Sequence, residues 1–251
     1  MRPVRLLATL ACAFAACTSQ AAELKVLTAG AFKPVLVALQ PAFEQQSGHK
    51  LVIENDTAGA LQKRIAGGEA FDVVFSSPAS LQPLAQAGRL ASEAPLPLAR
   101  VAIGVAVRAG APRPDISTVD AFRATLLNAR SVAYIDPAAG GSSGIYLDRL
   151  FERWGIASQI RAKAVLVPGG LVAQKVVDGS ADVAVHQISE ILAVPQAVLV
   201  GPLPAEIQNY TVYAGAVAAG SQNAAAAREL FAALRSAQAL EILKAKGMEA
   251  P

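Results

Sequence analysis

Short hydrophobic runs and stretches of helical periodicity alternate along the chain from residue 24 onward. The runs 24–27, 51–53 and 72–75 have the length and composition of buried strands. Between them, apolar residues recur at helical spacing over 32–43, and a shorter amphipathic stretch covers 61–65. Three β-α units in a row predict a parallel sheet that is covered by helices on both faces.

A second α/β unit follows Pro95 and Pro97, which interrupt the first unit. No flexible linker separates the two units, so we expect two lobes joined by short crossovers near 98–102 and 192–200. The strands expected in the rest of the chain are 101–107, 131–135, 164–167, 182–185, 197–200 and 211–217, and the helices are 119–129, 145–154, 171–177, 223–235 and 236–246.

The N-terminal segment 1–21 has the features of a signal peptide. A basic start precedes an apolar run over 6–16 that is too short to span a bilayer, and in Ser19-Gln20-Ala21 the small residues Ser19 and Ala21 suit a signal peptidase. The sequence therefore predicts export to the periplasm. Lipid anchoring at Cys17 is a less favoured alternative, because Phe14 stands where lipoprotein signals usually have leucine.

Composition and charge narrow the classes of function. Hydrophobic residues make up 53% of the chain, which is ample for a core. The chain has 22 Lys and Arg against 19 Asp and Glu, and loss of the signal segment with its two arginines leaves 20 against 19. This near-neutral balance, without a basic run, argues against nucleic-acid binding. Both cysteines fall in the signal segment, so the mature chain is expected to have no disulfide and no thiolate metal ligand.

Loops rich in glycine and hydroxyl residues stand where predicted strands meet predicted helices. Such loops expose backbone N–H groups at helix N-termini, where anions bind. If they converge on one cleft, they form a receptor for a small anion. The candidate ligand-binding residues are Gly30, Ala31, Thr57, Ala58, Gly59, Ser76, Ser77, Ser142, Ser143, Gly144, Gly169 and Gly170, together with His186 and Gln187 after the strand 182–185.

Few side chains in the sequence have the pattern of a hydrolase or a metal site. The chain has two histidines without metal-ligand spacing and no phosphate-loop signature, so we expect no metal and no cofactor. His49 follows a loop and is expected at the surface. His186 stands at a strand end, where α/β lobes bind ligands, although it could equally cap the strand. Candidate cations for the anion, each of which also suits a solvated helix face, are Lys33, Arg64 and Lys175.

The order of these segments resembles the periplasmic molybdate-binding-protein family of type II periplasmic solute-binding proteins. The matching segments are TAGAF (28–32), ALQKRIAGG (60–68), FDVVFSS (71–77), DP (136–137) and SGIY (143–146). The resemblance covers essentially the whole mature chain. It implies an α/β fold with two lobes, mixed sheets and helices on both faces, in which the lobes close on a ligand. It also implies that lobe I comprises 22–99 and 200–251 and that lobe II comprises 100–199.

The ligand donors of that family are not matched at three positions. Ala31 and Ala58 stand where molybdate binders have serine, and Gln187 stands where they have tyrosine. Each lost hydrogen bond to the oxyanion is worth roughly 1.5–3 kcal/mol, which argues against molybdate. The stretches 187–192 and 201–206 are instead similar to aconitate isomerase, an enzyme of the same scaffold.

The sequence therefore favours an extracytoplasmic solute-binding protein that captures a small multivalent anion, with organic carboxylates preferred over molybdate. Its partner would be the permease of an ABC-type transporter. The alternative is a periplasmic aconitate isomerase on the same scaffold, with His186, Glu190 and Lys33 as candidate catalytic residues. In both cases we expect a monomer without a nucleic-acid partner.

Overall fold

The computed structural model describes residues 21–91 and 94–251, so the predicted signal segment, apart from Ala21, and its Cys17 lie outside the described residues. Within these ranges the chain forms a mixed α/β fold. The strands are β1 (Glu23–Ala29), β2 (Lys50–Asp56), β3 (Val73–Ser76), β4 (Leu96–Arg108), β5 (Val132–Ile135), β6 (Ala164–Val167), β7 (Val183–Gln187), β8 (Ala197–Pro202), β9 (Tyr210–Val217) and β10 (Met248–Glu249). The α-helices are α1 (Lys33–Ser47), α2 (Ala58–Ala66), α3 (Pro78–Gln86), α4 (Val119–Asn128), α5 (Ser142–Arg153), α6 (Ala157–Arg161), α7 (Gln174–Val177), α8 (Ile188–Ile191), α9 (Ala224–Ala233) and α10 (Ala237–Ala245). In the two described ranges, no helix is both long enough and apolar enough to cross a bilayer.

Lobe I contains the strands β2-β1-β3-β9 and the first part of β4. β1 pairs in parallel with β2 and β3, as the repeated β-α units predict, and β9 runs antiparallel to β3. In the core of lobe I, Phe32 and Phe75 pack with their ring centroids 5.2 Å apart, and Leu36 and Ile65 are buried in the same cluster. This core supports the carboxyl ends of β1 and β2 at one edge of the lobe.

Lobe II contains the second part of β4, followed by β7, β5 and β6, with β8 also paired to β4. β5 is parallel to both β6 and β7. Tyr134 and Phe151 meet edge to face in its core, with ring centroids 5.6 Å apart. Every residue of β7 is buried, because this strand lies between β4 and β5.

β4 joins the two lobes as one continuous strand. Residues 96–102 pair with β9 in lobe I, and residues 103–108 pair with β7 and β8 in lobe II. The strand is longer than the predicted 101–107, because its two halves belong to different sheets. The first crossing therefore lies at the end of the predicted interval 98–102.

The second crossing lies later in the chain than predicted. It runs through 203–209 instead of 192–200, because β8 is held in lobe II by its pairing with β4. Gln208 ties the two crossings together: its Oε1 accepts a hydrogen bond from Ile103 N at 2.9 Å, and its Nε2 donates to Ile103 O at 3.0 Å. The lobe limits 22–99 with 200–251, and 100–199, stay a prediction.

His49 is buried, and the expectation that it lies at the surface is wrong. α1 ends at Ser47, and its C-cap Gly48, with a φ of 74°, turns the chain sharply into β2. The imidazole of His49 packs against Phe43, and its Nδ1 accepts a hydrogen bond from Ala22 N at 3.1 Å. These contacts give His49 a structural role in lobe I.

Candidate functional site

The two lobes enclose a small cavity at the carboxyl ends of β1, β2, β5 and β7. Ligands bind at such strand ends in open α/β sheets. The cavity measures about 40 Å³ in this closed conformation, which leaves room for a few water molecules. Nine of the predicted ligand-binding residues line it: Gly30, Ala31, Thr57, Ala58, Ser142, Ser143, Gly170, His186 and Gln187.

Helices from both lobes begin at the cavity. Thr57 caps α2 in lobe I by accepting a hydrogen bond from Ala60 N at 3.1 Å. α5 in lobe II begins at Ser142 without a side-chain cap, so the amides of its first turn are left for another acceptor. The N-terminal end of a helix dipole stabilises negative charge, so this arrangement suits an anionic ligand.

A buried imidazole and a buried carboxyl lie side by side at the cavity. Nε2 of His186, near the end of β7, is 3.4 Å from Oε2 of Glu190 in α8, and the two side chains are 3% and 9% exposed. Burial raises the pKa of Glu190 to about 8 and lowers the pKa of His186 to about 3. Both shifts favour the uncharged form. An uncharged carboxyl does not repel an anion, and it can exchange its proton near neutral pH.

Glu190 follows a lobe II strand, but its carboxyl lies against lobe I. A Cβ atom on Gly30 would lie 2.5 Å from Glu190 Oε1, so the missing side chain of Gly30 makes the space for this oxygen. Ser189 Oγ, also in α8, donates a hydrogen bond to Ala31 O at 2.8 Å. The short helix α8 therefore links the acid to the first loop of lobe I.

Gln187 connects both lobes through its amide group. Its Nε2 donates to Thr211 Oγ1 of lobe I at 2.9 Å and to Ser142 Oγ of lobe II at 3.2 Å. Its Oε1 and the Nδ1 atom of His186 are buried and have no hydrogen-bond partner among the described residues. Buried polar atoms without a partner are costly, and at the wall of a cavity they are typical of groups that bind a ligand.

Direct contact between the lobes closes the rim of the cavity. Gly59 N donates a hydrogen bond to Gly140 O at 3.1 Å, and the Thr57 hydroxyl donates to the carbonyl of Ala139. A Cβ atom on Gly59 would lie 2.8 Å from the Cα of Gly140, and one on Gly140 would lie 2.7 Å from the Cα of Gly59. A ligand larger than a few waters therefore enters after these two backbones separate.

Five predicted ligand-binding residues lie outside the cavity lining: Gly59, Ser76, Ser77, Gly144 and Gly169. Gly144 is a packing residue, because a Cβ atom there would lie 2.1 Å from Ile135 O. Ser76 is buried at the end of β3. The Ser77 hydroxyl lies 3.0 Å from that of Ser80 at the start of α3.

The predicted cations differ in their position and their partners. Lys33 Nζ donates a hydrogen bond to Asn55 Oδ1 at 2.7 Å, and Asn55 lines the cavity. Arg64 forms ion pairs with two glutamates of lobe I, and Lys175 does not line the cavity. In the part of the chain that the structure describes, no three His, Cys, Asp or Glu side chains are grouped as a metal site.

The sequence reasoning missed three polar residues of the cavity. Asn55 and Asp56 lie two and three residues after the predicted strand 51–53, and polar residues at the end of a parallel strand were a usable signal. Tyr213 gave no such signal, because it lies inside β9 and reaches the cavity through the tertiary fold. Burial, with a contribution from Glu190, raises the pKa of Tyr213, so its phenol stays uncharged.

Comparison with known proteins supports the resemblance that the sequence suggests. A family model described as bacterial extracellular solute-binding protein matches residues 24–249. Aconitate isomerase from Pseudomonas sp is 38% identical over 232 residues, which cover 90% of this chain and 87% of that protein.

Two solved structures share the fold at low sequence identity. The periplasmic molybdate-binding protein of Azotobacter vinelandii matches with a TM-score of 0.76 and 21% identity, over 91% of this chain and 99% of that chain. The sulfate-binding protein SubI of Mycobacterium tuberculosis H37Rv matches with a TM-score of 0.73 and 21% identity, over 91% of this chain and 87% of that chain. These matches confirm the predicted two-lobed α/β fold. With the family model matching nearly the whole described chain, the protein belongs to the bacterial extracellular solute-binding protein family.

Proposed function

We propose that this protein is an isomerase of the aconitate isomerase type, which interconverts cis- and trans-aconitate by moving one proton between two carbon atoms. The observation that carries the proposal is the buried pair of His186 and Glu190 inside a cleft that is otherwise suited to an anion. The 38% identity to an aconitate isomerase over most of both chains supports the same substrate.

A carboxyl group that can ionise is an unfavourable neighbour for an anionic ligand that is only to be held, because the repulsion returns whenever the proton is lost. An ionised Glu190 would repel an anion at short range, and the low dielectric of the cavity would increase that repulsion. A carboxyl that exchanges its proton near neutral pH is suited to acid-base chemistry, because the pKa of a general base is best matched to the working pH. Since burial raises the pKa of Glu190 to about 8, proton transfer explains its presence better than binding does.

The reaction needs one group that first accepts and then donates a proton. Aconitate has a methylene carbon next to a carbon–carbon double bond. The methylene carbon and the two carbons of the double bond each carry one carboxylate. Ionised Glu190 takes a proton from the methylene carbon, and the electrons of that C–H bond form the new double bond. Glu190 then returns the proton to the former vinyl carbon. The electrons of the former double bond form the new C–H bond there, and this carbon becomes the methylene carbon. No atom is gained or lost, and no cofactor is consumed.

Other residues of the cavity bind and orient the substrate in this proposal. The free amides at the start of α5 donate hydrogen bonds to one carboxylate, and the neutral Tyr213 phenol is a further donor. When Glu190 is protonated, its O–H faces His186 Nε2, so the imidazole proton lies on Nδ1, which is free to bind substrate. His186 thus lies against the Glu190 carboxyl and limits its movement.

A second candidate function is capture of a small anion for an ABC-type transporter. Membership in the solute-binding family and the uncapped N-terminus of α5 favour it. In that case the permease of the transporter is the partner. Both candidates place the mature protein in the periplasm, after removal of the predicted signal peptide.

The test is a direct assay of isomerisation by proton NMR. Purified protein is incubated with trans-aconitate, and the vinyl and methylene signals of both isomers are followed against a sample without protein. We expect cis-aconitate to form until both isomers reach equilibrium. The variant Glu190→Gln keeps the shape of the side chain but cannot carry the proton, so its rate should fall by at least roughly 100-fold.

The matched control is Glu206→Gln, the same chemical change at an exposed position. It should retain the wild-type rate. Thermal stabilisation by aconitate without interconversion would reject the isomerase and favour the binding protein. Equal rates in Glu190→Gln and wild type would reject the role of Glu190.

A further inference from the structure

Lys33 places a positive charge next to the cavity without forming part of its wall. It is the first residue of α1, directly after a turn whose Gly30 and Ala31 line the cavity. Its Nζ donates a hydrogen bond to Asn55 Oδ1 at 2.7 Å, and Asn55 lines the cavity at the end of β2. The ammonium group is therefore one hydrogen bond away from the space that a ligand would occupy.

The surrounding charges make Lys33 different from its neighbour Arg64. Arg64 approaches the cavity residue Asp56 at 3.6 Å, but it is already paired with Glu54 and Glu69, each at 2.6 Å. Lys33 has no carboxylate within 4 Å among the described residues. It is thus a cation beside the cavity whose charge is not already neutralised by an ion pair.

The lining of the cavity has acidic residues but no cationic ones, so an anionic ligand needs a positive charge from a residue beside the lining. Asp56 and Glu190 are the acidic residues of its lining, and the lining itself contains no lysine or arginine. Helix amides provide partial charges that suit one carboxylate of a ligand. A ligand with two or three carboxylates brings additional negative charge, which neutral donors alone compensate poorly.

We propose that Lys33 selects polycarboxylates by binding a second carboxylate, one that lies away from the Glu190 and His186 pair; this inference rests on the proposed isomerase function. An ammonium group has three N–H donors, and Asn55 takes one of them. The remaining two donors are available to a ligand carboxylate that enters the cavity beside Asn55. Asn55 then positions Lys33 at the cavity when no ligand is bound.

The test compares three saturated carboxylates that differ in the number of charges: tricarballylate with three, glutarate with two and butyrate with one. Isothermal titration calorimetry measures the affinity of each for wild type, Lys33→Gln, Lys33→Arg and Lys63→Gln. Lys63 is exposed on α2 and provides the matched loss of one positive charge. Thermal unfolding of each variant establishes that the fold is retained.

We expect wild type to prefer tricarballylate and Lys33→Gln to bind it about 10- to 100-fold more weakly, which is typical for loss of a charged hydrogen bond. Affinity for butyrate should stay within about twofold in the same variant, since that ligand lacks the second carboxylate. Lys33→Arg should recover most of the affinity, and Lys63→Gln should match wild type.

Two results would overturn the inference: equal losses in Lys33→Gln and Lys63→Gln, or a wild type that binds butyrate as tightly as tricarballylate. A wild type that shows the expected preference but does not isomerise aconitate would overturn the proposed reaction and leave the role of Lys33 standing. Absence of binding for all three carboxylates would overturn the inference about Lys33, whereas the isomerisation assay decides separately on the reaction.

Discussion

The backbones of Gly59 and Gly140 touch across the cleft, with Gly59 N donating a hydrogen bond to Gly140 O at 3.1 Å. The contact is possible because neither residue has a side chain. A Cβ atom on Gly59 would lie 2.8 Å from the Cα of Gly140, and one on Gly140 would lie 2.7 Å from the Cα of Gly59. The Thr57 hydroxyl, which the sequence suggested as a ligand donor, bonds to lobe II beside this contact. The closed conformation is thus held by bonds between the lobes themselves.

Gly59→Ala should prevent this closure, because the new methyl group would collide with backbone that has no room to yield. We expect a larger radius of gyration than wild type in small-angle X-ray scattering. The catalytic groups of the two lobes would then be misplaced, so kcat/KM for aconitate should fall by roughly 100-fold.

The control for this change is Gly220→Ala, where a Cβ atom meets no other atom within 4 Å. It should behave as wild type in both measurements. A Gly59→Ala variant with an unchanged radius of gyration and unchanged kinetics would show that the glycine contact does not control closure.

Gly30→Ala should affect activity much more than stability. Its Cβ atom would lie 2.5 Å from Glu190 Oε1, which is the mobile end of a side chain and can rotate away. The melting temperature should change little, whereas kcat for isomerisation should fall by roughly 100-fold as the carboxyl leaves its position. A melting temperature that drops sharply together with activity would instead indicate a packing role for Gly30.

The stability of the protein should fall with rising pH because of Glu190. Burial raises its pKa from 4.5 to about 8, so the folded state keeps a proton that the unfolded state releases between these values. The stabilisation is complete below pH 4.5 and is lost as the pH rises through about 8. The lowered pKa of His186 acts in the opposite direction, but between about 3 and 6.5, where its stabilisation is lost as the pH falls.

The interval from pH 6.5 to 8.5 therefore isolates the contribution of Glu190. Across it, the unfolding free energy of wild type should fall by about 2 kcal/mol relative to Glu190→Gln, which has no proton to release. Urea unfolding at several pH values measures this difference, with Glu206→Gln expected to follow wild type. Parallel pH profiles for wild type and Glu190→Gln would contradict the raised pKa.

Gln208→Ala should loosen the junction between the crossings. Its amide bonds both the N–H and the carbonyl of Ile103 at the point where β4 leaves lobe I. Loss of these bonds should cost about 1–3 kcal/mol of unfolding free energy, measured by urea titration. Gln222→Ala, at an exposed position, should cost little. Equal stability of the two variants would rule out a special role for Gln208.

The elements with strong local periodicity could be predicted from the sequence, and the elements held by distant contacts could not. The strands 24–27 and 72–75 and the helix after Phe32 were predicted because each carries its own pattern of buried positions. The short helix α8 contains Ile188–Ile191, too few residues to show a helical period, so its carboxyl could not be located beforehand. The second crossing was placed too early because the pairing of β8 with β4 joins segments far apart in sequence.

Local patterning was sufficient for the alternation of strands and helices and for most of the loops at the cavity, because these depend on neighbouring residues and strand ends. The two-lobed family followed from the resemblance of several sequence segments to a known family. The assembled fold was needed to bring Glu190 under Gly30, to add Tyr213 and to press Gly59 against Gly140. Each of these depends on distances between segments separated by many residues. Burial, which shifts the pKa of Glu190 and His186, arises only when both lobes surround them.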